Sequence, residues 1–398
     1  MTTSPTKLMI YSADFWPLVG GIQSVVMALA RGFATGERFP RKMECTVVTE
    51  TPAGAAPDSD LPFRVVRNPT LLELTRLLWR SDLVHVAGPA LRPLFLGFLL
   101  RKPMVVEHHG FQSVCPNGSL FHEPTHTACD GHFLAGHHRE CWKCNAASGY
   151  WRSVRLWALT FCRRWLCRFV DANIAPTTWL QRLLHVPRTF VIPHGVADRP
   201  FSPLSFPQGP PDAAPCGSSP KFVFVGRLVS TKGAELLLHA SRELLNRGVE
   251  FRVLVVGDGP ERKKLECLSS DFGLAPRVDF VGEKTAEDDM QALLGDAIAV
   301  VIPSITAEAF GLVAAENMMR GRAIITPDGG SLAEVAGETG LKFTAADANS
   351  LADCMEKLAR SPEIAIQLGG QARRHSLNNF RVQGMLDGHL ALYQEVLK

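Results

Sequence analysis

Two glutamates, Glu308 and Glu316, flank the segment Phe310-Gly311-Leu312. The apolar run at 297–303 reads as a buried parallel strand, and 304–307 as a short loop. Good helix formers follow from Gly311 to Arg320, and Gly321 is placed to stop them. Glu308 therefore belongs at the carboxyl end of a strand, and Glu316 about a turn and a half inside the next helix. The first amides of that helix, near Phe310, Gly311 and Leu312, offer N–H groups to negative charge. Carboxylates accept hydrogen bonds from hydroxyls, so the pair suits a polyhydroxyl, anionic ligand. The plainer reading is a helix that happens to carry an acidic residue near its start.

Cations occupy a comparable position earlier in the chain. The strand expected at 222–225 ends in Gly226-Arg227-Leu228-Val229-Ser230-Thr231-Lys232-Gly233, ahead of a helix at 234–246. Arg227 and Lys232 bracket that turn, an arrangement that grips a diphosphate. Near the N-terminus, Gly20-Gly21 precedes a helix and follows the first strand, where backbone amides meet phosphate. The alternative there is a turn that needs glycine. No G-x-G-x-x-G is present at this point, so a nicotinamide or flavin fingerprint is absent. His108-His109-Gly110 falls at another strand end, where a histidine either faces a ligand or serves the core.

The elements that must position these residues alternate. Strands are expected at 7–12, 44–49, 63–66, 83–87, 104–108, 172–176 and 189–193. A second set lies at 222–225, 251–256, 277–281, 297–303, 323–326 and 341–343, with helices between. The pattern predicts two doubly wound parallel sheets with ligands at the carboxyl ends of the strands. The stretch 198–220 is rich in Pro, Gly and Ser. It divides the chain into an N-terminal domain, 1–200, a linker, 201–220, and a C-terminal domain, 221–398, whose last helix is a candidate to pack back on the first domain.

Residues 111–148 form a long excursion with little apolar material. It carries Cys115, Cys129, Cys141 and Cys144 among His122, His126, His132, His137 and His138. The Cys141-Trp142-Lys143-Cys144 gap is common in zinc sites, which makes the four thiols candidate ligands of a structural zinc. Unligated cysteines in a flexible loop and an iron–sulfur cluster are the alternatives. The helix expected at 151–169 has Trp151, Val154, Ala158, Phe161, Cys162, Trp165 and Phe169 on one stripe. Arg152, Arg155 and Arg163 lie opposite, and no acid interrupts them. The favoured reading is a core face with solvated arginines. The rival is an anionic membrane surface.

A length of 398 residues suits two α/β domains, and a net charge of +3 gives no footprint for nucleic acid. No basic-then-apolar start and no spanning run are evident, so the expectation is a cytoplasmic protein, soluble or peripheral on the inner face of the membrane.

Taken together, Gly20-Gly21, His109, Ile192-Pro193-His194-Gly195-Val196, Gly226-Arg227, Lys232-Gly233, Gly257-Asp258-Gly259-Pro260, Pro303-Ser304, Glu308 to Glu316 and Gly329-Gly330 with Glu334 resemble the retaining glycosyltransferases of family 4. The resemblance spans most of the chain and implies a GT-B architecture: two Rossmann-like domains facing a central cleft. It implies a nucleotide-diphosphate sugar as donor and hexosyl transfer with retention to a saccharide or glycolipid acceptor. The setting would be polysaccharide or glycoconjugate biosynthesis, without a catalytic metal. Arg227 and Lys232 would hold the diphosphate, Glu308 the sugar hydroxyls and Glu316 the ribose. Amides of Phe310, Gly311 and Leu312 would meet phosphate or sugar. Gly20 and Gly21 would approach the diphosphate, His109 would sit beside the sugar, and the loop at Gly282 would shape donor selectivity. Two departures stand out. Gly110 replaces the usual Asp, which unsettles any base role there, and His194 replaces Asn, a change expected to affect only a turn. A nucleotide-sugar epimerase or hydrolase, and a non-catalytic binding scaffold, share the fold. A scaffold should have lost Arg227, Lys232 or Glu308, and all three are retained.

Overall fold

The structure, a computed structural model, describes residues 5–18, 20–36, 43–54, 57–201, 219–284 and 287–398. Most of the expected linker, 202–218, lies outside the described residues. Two compact units emerge: residues 1–195 with 382–398, and residues 196–381. The helix Val382–Val396 is therefore part of the first unit, and the second ends at Arg381.

The first unit is built on β1 (Thr6–Ser12), β2 (Met43–Thr49), β3 (Arg64–Arg67), β4 (Leu83–Ala87), β5 (Met104–Glu107), β8 (Ala172–Ala175) and β9 (Thr189–Val191). A small hairpin, β6 (Phe121–His122) with β7 (Thr127–Ala128), interrupts the series. The seven-stranded sheet runs β3-β2-β1-β4-β5-β8-β9. The second unit holds β10 (Lys221–Val225), β11 (Arg252–Val256), β12 (Val278–Gly282), β13 (Ala297–Val301), β14 (Ala323–Pro327) and β15 (Leu341–Phe343), in the order β12-β11-β10-β13-β14-β15. Pairing is parallel throughout both sheets. Central strands such as β4, β5 and β13 are buried at every position, as predominantly apolar runs require when helices cover both faces, with His85 and Glu107 the polar exceptions. In each sheet the order reverses beside the first strand, between β1 and β4 and between β10 and β13. These are the switch points at which parallel α/β sheets take ligands.

Two sequence expectations are corrected. The helix at 150–167 (Tyr150–Cys167) does not turn its aromatic stripe to the core. Ser153, Thr160, Leu166 and Cys167 face inward, while Trp151 is 80% exposed and Trp165 60%. Arg163, placed with the solvated arginines, is half-buried. The reason is tertiary: the excursion packs along this helix, with Phe133 4.7 Å from Phe161 and His138 5.5 Å from Trp157, ring to ring. The excursion itself is not short of apolar material. Phe111, Val114, Leu120, Phe121 and Phe133 are buried, and the short helix His138–Cys144 closes over them.

Candidate functional site

The second unit gathers three turns at the carboxyl ends of adjacent strands. After β10, Gly226 donates its amide to Val256 (3.0 Å), Leu228 to Asp258 (2.9 Å), and Ile305 of the turn after β13 donates to Thr231 (3.0 Å). These bonds stitch residues 226–233 between the turns that follow β11 and β13. Gly233 has φ 72°, and a Cβ there would be driven into the Pro303 carbonyl. Only glycine allows that approach, which brings Lys232 against the loop carrying Glu308.

Lys232 Nζ lies 2.8 Å from Glu308 Oε1, and the Ser304 hydroxyl donates to the same oxygen at 2.6 Å. Burial alone would raise the Glu308 carboxyl. The Lys232 ammonium and the Ser304 hydroxyl outweigh it and hold the group below its usual range, so it is ionised at neutral pH. Arg227 is exposed and makes no ion pair with the described residues. The helix Leu312–Met319 starts beyond Gly311, which is left-handed at φ 98°. The amides of Gly311 and Leu312 have no backbone carbonyl partner among the described residues. An ionised carboxylate, two cations and open helix N–H groups thus share one sheet end, a constellation able to hold hydroxyls and stabilise charge on phosphate.

Glu316 has a neighbourhood that sequence reading missed. Arg199 Nη2 approaches its Oε1 at 3.7 Å, and Arg199 also pairs with Glu287, which in turn takes Arg320 Nη2 at 2.8 Å. Burial raises the Glu316 carboxyl, and the two arginines counter it only in part. Gly282, at the end of β12, accepts the Gly257 amide at 2.8 Å and so belongs to the frame of the neighbouring turn.

In the first unit, Gly20 is extended (φ 175°) and neither Gly20 nor Gly21 lies in the left-handed region, so turn geometry does not demand glycine at this pair. His109 enters a buried cluster. Its Nε2 is 3.3 Å from Glu107 Oε2, and its ring stacks on His194 with centroids 5.0 Å apart. His194 therefore does more than shape a turn, which corrects the sequence expectation: its Nδ1 is 3.4 Å from Glu107 Oε1. His85 and His389 complete the ring around the carboxylate at 3.1 and 3.5 Å. Burial opposes charge on Glu107, but the imidazoles, His109 and His389 foremost, hold its carboxyl well below the usual range. His108 points elsewhere, to Asn173 Oδ1 at 3.0 Å, and burial pushes it down to about 4. The one signal in the sequence was an acid closing the otherwise apolar strand β5.

Cys115, Cys129, Cys141 and Cys144 all line one pocket of the excursion, beside His122 and His132. Asn117 bridges two of them, accepting from Cys115 Sγ at 2.8 Å and donating to Cys144 Sγ at 3.2 Å. Burial and the three neighbouring thiols push Cys141 up to about 12. Among the described residues, sets of three or more His, Cys, Asp or Glu ligand atoms within 4.8 Å of one another are two: His85, Glu107 and His389, and Glu107, His109 and His194. The cysteines form no such set.

Comparison with known proteins follows this division. The model of the family described as "Glycosyl transferases group 1" matches residues 213–375. The lipopolysaccharide core biosynthesis mannosyltransferase LpcC of Rhizobium leguminosarum bv. viciae is 31% identical over 244 residues, 59% of this chain and 67% of that protein. The D-inositol 3-phosphate glycosyltransferase of Rhodococcus erythropolis is 32% identical over 182 residues, 43% of this chain but only 40% of its own length. Among solved structures, sucrose-phosphate synthase from Thermosynechococcus elongatus superposes with a TM-score of 0.72 at 20% identity, covering 98% of this chain and 99% of its own. HepE of Anabaena, solved with UDP and glucose, reaches 0.70 at 17% identity, covering 98% and 100%. These likenesses establish the fold as GT-B: two α/β units, each on a parallel sheet. The extent of the LpcC match adds family to fold, and the chain belongs to the group 1 glycosyl transferases.

Proposed function

We propose that the protein is a retaining hexosyltransferase that moves a sugar from a nucleotide-diphosphate sugar to a saccharide or glycolipid acceptor in glycoconjugate biosynthesis. The observation that carries this reading is the Lys232–Glu308–Ser304 group beside the exposed Arg227 and the open start of the helix Leu312–Met319. Arg227 and Lys232 take the diphosphate. Lys232 is about one-third exposed, so its pairing with Glu308 leaves N–H donors for phosphate. As the bond to the anomeric carbon breaks, charge grows on phosphate oxygens, and these cations with the Gly311 and Leu312 amides stabilise it without a metal. Glu308 holds sugar hydroxyls, Glu316 the ribose, His109 the donor sugar, and Gly20 and Gly21 the diphosphate. The acceptor attacks from the face the leaving group vacates, and the departing phosphate takes its proton. LpcC is a mannosyltransferase of lipopolysaccharide core synthesis by name, which supports a saccharide or glycolipid acceptor.

We also propose an anionic membrane surface as a partner. Trp151 and Trp165 are exposed with Arg152 and Arg155 on the helix Tyr150–Cys167, and Arg168 and Phe169 are exposed just beyond its end. Phe95 and Leu99 are exposed on the helix Leu91–Leu99 packed next to it, and Trp79 on the helix Leu71–Arg80 packed against that one. Aromatic rings among cations suit an anionic headgroup layer. No described helix is long and apolar enough to cross a membrane.

The test is a thermal-shift screen with UDP, GDP and ADP and their sugars, followed by anomeric analysis of the product. A rise with one nucleotide sugar and a product of retained configuration is expected. Inversion, or turnover of donor to an epimer without acceptor, overturns the reading.

A further inference from the structure

We propose that Glu107, His85 and His389 form a binding site for a divalent transition metal, zinc by its ligand chemistry. The site lies within the first unit and is independent of the donor reading. His85 is on β4, Glu107 ends β5, and His389 is on the helix Val382–Val396; all three are fully buried.

Protons alone satisfy this group poorly. A charge-assisted N–H···O⁻ bond runs about 2.7–2.9 Å. The imidazole nitrogens here stand 3.1–3.5 Å from the carboxylate oxygens. Two ligand atoms on one tetrahedral zinc, each about 2.0–2.1 Å from it, lie roughly 3.3 Å apart. Glu107 Oε1 and His389 Nε2 are buried without a hydrogen-bond partner. His389 fixes its own tautomer, since Nδ1 sits 2.8 Å from the Met385 carbonyl, which only accepts. Nδ1 therefore carries a proton, and Nε2 is the ring atom that faces Glu107. A metal ion bound between them would give both atoms a partner.

The outer contacts have the form that metal-bound histidines take. Such rings pass their second N–H to a carboxylate, a backbone carbonyl or water. His389 gives Nδ1–H to Met385, and His85 Nδ1 lies 2.8 Å from the Tyr393 hydroxyl. Glu107 acting through both oxygens supplies, with the two rings, four donor atoms. Among the described residues the ion-pair partners of Glu107 are histidines, and no lysine or arginine balances the carboxylate. A buried metal there pins the terminal helix to the sheet and is taken up as the chain folds.

The test uses the full chain, purified without a histidine tag, as wild type, Glu107→Gln, His389→Asn and Cys141→Ser. Elemental analysis should find about one zinc per chain in wild type and in Cys141→Ser, and far less in the other two. Cobalt(II) loaded in place of zinc should give ligand-field bands without thiolate charge transfer. Should Glu107→Gln fail to fold, chelator-treated Cys141→Ser titrated with zinc decides, and its melting midpoint should rise. Wild-type protein free of metal, zinc lost with Cys141→Ser but kept with Glu107→Gln, or a midpoint indifferent to zinc would each overturn the proposal.

Discussion

Charge is handled in opposite ways in the two units. In the second, Lys232, Glu308 and Arg227 sit at the mouth of a sheet end, partly exposed, and Arg227 makes no ion pair among the described residues. In the first, Glu107 is sealed from solvent among His85, His109, His194 and His389, and no lysine or arginine among the described residues pairs with it. A half-open ion pair is worth little to stability, because water screens it, yet it is free to exchange one partner for a ligand. A sealed carboxylate is the reverse: it holds the fold when its partners are in place and is costly when they are not. Substitutions in the first unit should therefore register mainly as stability, and those in the second mainly as turnover.

The largest effect that separates the two concerns Glu107→Ala. Stripping the carboxylate from four imidazoles should cost about 3–5 kcal/mol of stability, measured by denaturant unfolding of the first unit's transition. A loss under about 1 kcal/mol would mean the cluster is not a structural anchor. Next come Lys232→Ala and Arg227→Ala. Each should lower turnover by roughly 10²-fold while leaving the melting midpoint nearly unchanged. Full activity in both variants would remove their assignment to the diphosphate.

A smaller effect is expected at Glu316. A ribose contact is about equal in ground and transition states, so Glu316→Gln should raise the donor Michaelis constant by up to about tenfold and spare turnover. Glu308→Gln should show the reverse split, and exchange of the two patterns would exchange the roles. The smallest effect is one of pH. The Glu308 carboxyl is held below its usual range in the folded protein, so its ionised form contributes stability above the unfolded value. That contribution is lost as pH falls through the folded value. The midpoint difference between wild type and Glu308→Gln should be largest near neutrality and shrink in acid; a difference that grows in acid would contradict the pairing with Lys232. For the exposed helix, wild-type protein should float with anionic vesicles at low salt, and Arg152→Gln with Arg155→Gln and Arg168→Gln should abolish this without unfolding. Retention of flotation by that triple variant would rule out the basic face as the contact.

By itself, the sequence determined the strand series and the turns of the second unit. Those residues act within a few positions of a strand end, and hydrophobic period and turn chemistry are local quantities. That is why β4 and β15 coincide with their expected limits and why residue type and position alone mark Lys232 and Glu308, which lie 2.8 Å apart. The packing of residues far apart in the chain belonged to the tertiary structure. His85, Glu107, His194 and His389 span some 300 positions, and no spacing rule links them; the sheet order and the returning terminal helix bring them together. Arg199 reached Glu316 in the same way. The face that the helix Tyr150–Cys167 buries was decided by the excursion laid along it, because an amphipathic stripe records which residues are apolar and not which neighbour arrives to cover them.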